Sequence, residues 1–154
     1  MRGEAERNPA VELPLVVFEA RGFRCGVEAR IVDSQSIIEP EEEMLTAEAF
    51  FSLCDEGAAD SIRSGLLAVG ARDASSAPTP RCVRRSITLA LADGLVRLAV
   101  SGPVELATFQ ARDLHPLPAL VEARCAASAL RGFALEGESP ILLFDPRAAA
   151  LRAY

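Results

Sequence analysis

Four cysteines, one histidine and a set of scattered carboxylates are the residues of this chain that could do chemistry. Cys25, Cys54, Cys82 and Cys125 lie far apart, with no Cys-x-x-Cys pair among them. Zinc and redox sites need close spacing so that neighbouring thiolates converge, so this scatter points to reduced thiols, mostly buried as small hydrophobes. His115 is the only imidazole, and nothing in the spacing brings a thiol beside it to make a Cys–His nucleophile. Followed by Pro116, it reads as a surface or turn histidine in a loop after a strand. Asp145 precedes Pro146, and a helix N-cap, worth about 1 kcal/mol, is a sufficient job for its carboxylate. The chain shows no Gly-rich phosphate loop, paired-carboxylate motif or metal-ligand spacing. The expectation is a non-catalytic protein with no catalytic, cofactor-binding or metal-binding residues.

Composition narrows the partners. All sixteen basic residues are Arg, and the net charge is −6, with a pI near 4.9. A nucleic-acid surface needs clustered positive charge in surplus, which excludes that class. The densest basic group, Arg81, Arg84 and Arg85, adjoins a Ser/Pro-rich stretch and reads as solvated. Half the residues are apolar, yet no apolar run approaches the roughly 20 residues that cross a bilayer. Residues 1–12 are polar and charged, and read as a disordered lead-in rather than a signal segment, so a cytoplasmic location without membrane insertion is expected. The 154 residues suit one domain, 13–154, large enough to bury a core without disulfide or metal staples.

The elements follow from periodicity and turn chemistry. Leu15 to Phe18 and Phe23 to Val27 flank Arg21-Gly22 and form an opening hairpin. Glu28 to Val32 fits one helical turn, and Ser36-Ile37-Ile38 is extended up to Pro40. The acidic group Glu39 and Glu41 to Glu43 reads as a solvated corner. Thr46 is placed to cap a short helix in which Phe50, Leu53 and Cys54 share a face and Gly57 ends the run. Phe50 and Phe51 cannot both enter one core, which leaves one of them as an exposed contact or both in a helix buried on two sides. Ile62 to Val69 reads as a strand, and 72–82 as a Ser/Pro-rich loop. Ile87, Leu89 and Leu91 alternate with small residues up to Asp93-Gly94, a dipeptide suited to a two-residue hairpin turn. The return strand puts Val96, Leu98 and Val100 on one face and Leu95, Arg97 and Ala99 on the other, until Gly102-Pro103 interrupts the pairing. Pro118 to Leu130 is helix-compatible. Leu130 to Leu135 and Ile141 to Phe144 make a closing hairpin before a terminal helix. Many short strands with brief helices mean an all-β barrel architecture.

The order of these elements resembles the CheW-like domain, the adaptor module of bacterial chemosensory arrays, from Leu15 to the C-terminus. Ser61-Ile62-Arg63-Ser64-Gly65-Leu66-Leu67-Ala68-Val69 is similar to the family's Asn-Leu-Arg-Gly strand. Val96 to Leu106 resembles its Gly-Leu-x-Val-Asp-x-Val segment, and Asp113 to Pro118 its proline-rich sequel. Arg131-Gly132-Phe133-Ala134 and Leu142-Leu143-Phe144-Asp145 match the closing hairpin, the most specific part. Departures fall at Ser61, Ala68, Arg97, Ser101 and Pro103, which replace the family's Asn, Pro, Gly, Asp and Val.

The resemblance implies an all-β fold with a few short helices, arranged as two SH3-like five-stranded β-barrel subdomains sharing a hydrophobic core. It implies a non-catalytic adaptor that binds the regulatory domain of a CheA-type histidine kinase and the cytoplasmic tip of a methyl-accepting chemoreceptor. The partner-binding candidates are Arg63, Ile62, Leu66 and Phe51. Arg63 has two readings, a strand arginine paired with a nearby carboxylate or a five-donor group that fixes a partner. The alternative is a divergent member that has lost one docking surface and binds a single array component or another partner. A small β-barrel enzyme is the remote alternative.

Overall fold

The computed structural model describes residues 12–38, 43–51, 62, 64, 84–124 and 129–150. These are mostly strand, with a few short helices, as expected of an all-β chain. The strands are β1 (Glu12–Ala20), β2 (Phe23–Glu28), β3 (Val32–Ile37), β4 (Arg85–Leu91), β5 (Gly94–Gln110), β6 (Leu114–Pro116), β7 (Leu130–Glu136) and β8 (Ser139–Phe144). The helices are α1 (Ala47–Phe50), α2 (Ala119–Arg124) and α3 (Pro146–Ala150). One hydrogen-bonded series joins the strands in the order β3-β4-β5-β1-β2-β8-β7-β6.

Three antiparallel hairpins, each closed by a two-residue turn, carry most of this series. In the first, Arg21 and Gly22 both adopt positive φ, 50° and 77°, the backbone that matches strand twist in a primed turn. Pairing then runs from Ala20↔Phe23 to Leu15↔Glu28. The second turns at Ala92-Asp93, with Leu91 opposite Gly94 and Arg85 opposite Val100. The third pairs Glu136 with Ser139 and Leu130 with Phe144.

Gly102-Pro103 does not end the strand that contains it. β5 continues for 17 residues and changes partner: residues 94–100 pair with β4, and from Ser101, opposite Glu19, the strand pairs with β1. Proline gives no N–H to a ladder, so its place at this changeover costs no continuous pairing. Gly102 is favoured there by its backbone angle, while the Glu19 side chain beside it is flexible. Its φ is +69°, and an added Cβ would meet the Glu19 carboxylate carbon at 2.8 Å. Where β1 is not yet beside β5, the chain before α1 takes its place: the Ala99 N–H donates to the Leu45 carbonyl at 2.8 Å.

Strands β1, β7 and β8 are buried on both faces, which explains their unbroken apolar runs. In β1, Phe18 and Ala20 join the larger core cluster, while Leu15 and Val17 join a smaller one. In β8, Leu142 and Phe144 face the larger cluster and Ile141 the smaller; in β7, Phe133 and Ala134 divide the same way. The larger cluster also holds Ile87, Leu89 and Leu98 of the β4–β5 hairpin, so residues from both ends of the chain share one core.

Two local expectations change. His115 and Pro116 do not lie in a loop: they belong to β6, which pairs with β7 through Leu114↔Ala134 and Pro116↔Gly132. Ile62 and Ser64 are helical, not the start of a strand; the apolar run there could not distinguish a buried strand from a buried helix. The lead-in up to residue 11, the loop at 72–82, Leu53, Cys54 and Gly57 lie outside the described residues, and β1 already begins at Glu12.

Candidate functional site

Of the residues singled out for partner binding, Arg63 and Leu66 lie outside the described residues. Phe51 and Ile62 are core residues, 1% and 2% exposed, and this corrects their assignment to a docking surface. Ile62 joins the larger core cluster, and for Phe51 the reason is aromatic packing. Phe51 lies 4.5 Å from Phe144 and 6.4 Å from Phe18 between ring centroids, and Phe50 meets it edge-on at 5.0 Å. The Phe51 ring therefore fills the space between α1 and strands β1 and β8, while Phe50 stays half-buried at the margin. The Thr46 side chain accepts from the Ala49 N–H at 3.2 Å and sets the direction of α1.

Among the described residues, Cys25, His115 and Asp145 each have a structural role. Cys25 is fully buried, and its thiol donates to the Phe23 carbonyl at 3.7 Å. Desolvation first, and then the nearby Glu48 carboxylate, push its pKa well above the ordinary thiol range, so it is held as an unreactive thiol. His115 is half-buried with its ring stacked on Phe133, 5.1 Å between centroids. Asp145 accepts from the Arg147 N–H at 3.0 Å, which makes it the N-cap of α3. Among the described residues no group of three or more His, Cys, Asp and Glu could hold a metal ion.

The surface offers apolar contact. Ile37, Leu45, Leu95 and Leu106 are exposed large hydrophobics, with Leu106 at 71%. Leu106 borders a groove of about 150 Å³ at the seam where the second half of β5 meets β1 and the start of β3. Val16, Val32 and Val104 line it, with Asp33 and Glu105 at its polar margin. Sequence alone did not mark this groove. The signal in Val104-Glu105-Leu106 is ordinary strand alternation, and Leu106 becomes a surface contact only because β5 changes partners upstream of it.

Beside the seam, three strands form a hydroxyl and guanidinium rung. Ser36 and Ser86 share a hydrogen bond of 2.7 Å, and Arg97 donates to both, at 3.0 and 3.1 Å. Ser86 is completely buried. Arg97 occupies a position where the CheW-like pattern has glycine, and here it ties β3, β4 and β5 together.

Among the described residues, the all-β fold holds a buried Cys25 thiol, a His115 ring stacked on Phe133 and an exposed apolar seam at Leu106. Comparison with solved structures agrees at the level of fold. The chain is similar to the crystal structure of the scaffolding protein CheW from Thermoanaerobacter tengcongensis, with a TM-score of 0.54 and 12% identity over 94% of this chain and 90% of that one. The likeness shows a CheW-like fold. No family model and no curated protein matches the sequence.

Proposed function

We propose that this chain is a non-catalytic adaptor of a bacterial chemosensory array, coupling chemoreceptors to a CheA-type histidine kinase. The observation that carries this reading is the likeness of fold to a CheW scaffolding protein across nearly the whole of both chains. The seam groove beside Leu106 supports it, because a solvent-facing apolar groove between two strand systems suits a partner's apolar ridge. In this reading the chain from 13 to 154 is one domain of two five-stranded barrels. Support comes from the two core clusters: the smaller, around Leu15, Phe109 and Ile141, has the composition of a barrel interior, and the larger that of the core shared between barrels.

The receptor tip is assigned to the seam, and Arg63 is retained as a partner-binding residue together with Leu66. A cytoplasmic location follows from those partners. Among the described residues no helix is long and apolar enough to cross a membrane.

Co-sedimentation with a kinase regulatory-domain fragment and with a receptor cytoplasmic fragment, each measured separately, tests the reading. Binding of both at tens of micromolar, weakened by Arg63→Ala for one partner and by Leu106→Asp for the receptor, is expected. Binding of one fragment alone identifies a member with a single docking surface, which the departures at Ser61 and Ala68 favour. Binding of neither removes the adaptor role.

A further inference from the structure

A second cleft lies apart from the seam groove and shares no residue with it. It opens where the parallel pair β2–β8 runs out, since those strands pair only through Cys25↔Leu142 and Gly26↔Leu143. Its volume is about 210 Å³. Leu13, Leu15, Gly26, Ile31 and Leu143 form an apolar floor, with the Leu15, Ile141 and Leu143 side chains packed over Gly26. A cavity of about 150 Å³ accommodates a benzene ring, so this volume suits one large aliphatic or aromatic side chain.

The rim carries four charges, and three of them are already settled. Glu28 pairs with Arg30, outside the cleft, and Asp145 pairs with Arg147 at 3.2 Å. Arg131, exposed at the start of β7, makes no ion pair or hydrogen bond among the described residues. Among the described residues, the cleft thus presents an apolar hole beside one guanidinium without a partner, a planar fork that takes a carboxylate bidentately. A cationic partner finds no such match, because both carboxylates on the rim are occupied.

We infer that this cleft docks a protein segment carrying a large apolar side chain with an Asp or Glu next to it, the side chain entering over the floor of Leu13, Ile31 and Leu143 and the carboxylate meeting Arg131. The inference takes from the adaptor reading only that the occupant is a protein.

The test uses the full chain, ¹⁵N-labelled, titrated with the acetylated and amidated peptide Gly-Ser-Leu-Asp-Ser-Gly. Saturable shifts at the amides of Gly26, Arg131 and Leu143 are expected, with affinity reduced about tenfold by Arg131→Gln, by Asn in place of the peptide's Asp, or by Ala in place of its Leu. Arg131 is exposed, so the variant keeps its fold, and unchanged melting confirms that. Absence of shifts at those amides up to ~5 mM peptide overturns the inference, as does equal binding of the Asn peptide. Equal binding of free 4-methylpentanoate would make the cleft a small-molecule site and overturn docking. Arg131→Gln protein that still binds the kinase and receptor fragments, while the unmodified chain fails to bind peptide, removes the cleft and leaves the adaptor role. Peptide binding without fragment binding does the reverse.

Discussion

A Cβ built on Gly132 would lie 2.5 Å from the carbonyl oxygen of His115. The two backbones meet where β6 pairs with β7, and the His115 ring stacks on the neighbouring Phe133. No flexible side chain stands between them to give way, so any residue larger than glycine must displace β6 itself. Gly132→Ala is therefore expected to destabilise the protein by about 1–3 kcal/mol. Urea denaturation checks this, with a lowered midpoint and an unchanged slope as the expected result.

Phe51 tests core against surface. Its ring packs on Phe18 and Phe144 at 1% exposure, so Phe51→Ala is expected to cost about 3–5 kcal/mol. Phe50→Ala, at the half-buried edge, should cost less. Midpoints of thermal or urea unfolding for the two variants give the comparison; a stable Phe51→Ala protein with weakened partner binding would restore the docking role.

The rung of Ser36, Ser86 and Arg97 predicts an asymmetric effect. Removing the Ser86 hydroxyl leaves a buried site without its polar atom, takes an acceptor from Arg97 and takes a hydrogen-bond partner from Ser36. Ser86→Ala should cost about 1–2 kcal/mol. Arg97 is exposed and can turn its guanidinium to water, so Arg97→Ala should cost less than Ser86→Ala in the same denaturation series.

Cys25 predicts a dependence on pH. Burial raises the native thiol's pKa above that of the unfolded chain, so the native state keeps its proton where the unfolded state loses it. This contribution is fully present below about pH 8.5 and falls as pH rises beyond it, by up to about 1.4 kcal/mol per unit. Cys25→Ala should flatten the stability profile between pH 8.5 and 10 relative to the unmodified chain. The same burial makes the native thiol inert to a disulfide reagent until the protein unfolds.

Much of the local structure was legible from the residues alone. Arg21-Gly22 and Gly137 lie in two of the hairpin turns because a tight reversal demands particular backbone angles, Asp93-Gly94 places the third turn one residue late, since it falls at Ala92-Asp93, and strand alternation fixes which side chains face inward. Thr46 and Asp145 announce their helices because a side-chain acceptor beside free N–H groups is a local matter. The docking candidates were less legible. Ile62 and Phe51 look like contacts in a motif or a Phe-Phe pair, and only their neighbours in space show them as core.

The sequence by itself therefore determined the all-β class, the hairpins, the caps and the lack of any recognisable catalytic motif, since each depends on residues within a few positions of one another. The tertiary structure decided the partner change of β5 at Ser101, the parallel meeting of β2 with β8, and the pairing of His115 opposite Phe133. These are contacts between distant segments, and strand periodicity is identical whichever neighbour a strand acquires. The seam groove and the cleft beside Arg131 arise at those junctions, so the surfaces available for binding are properties of the fold and not of any motif.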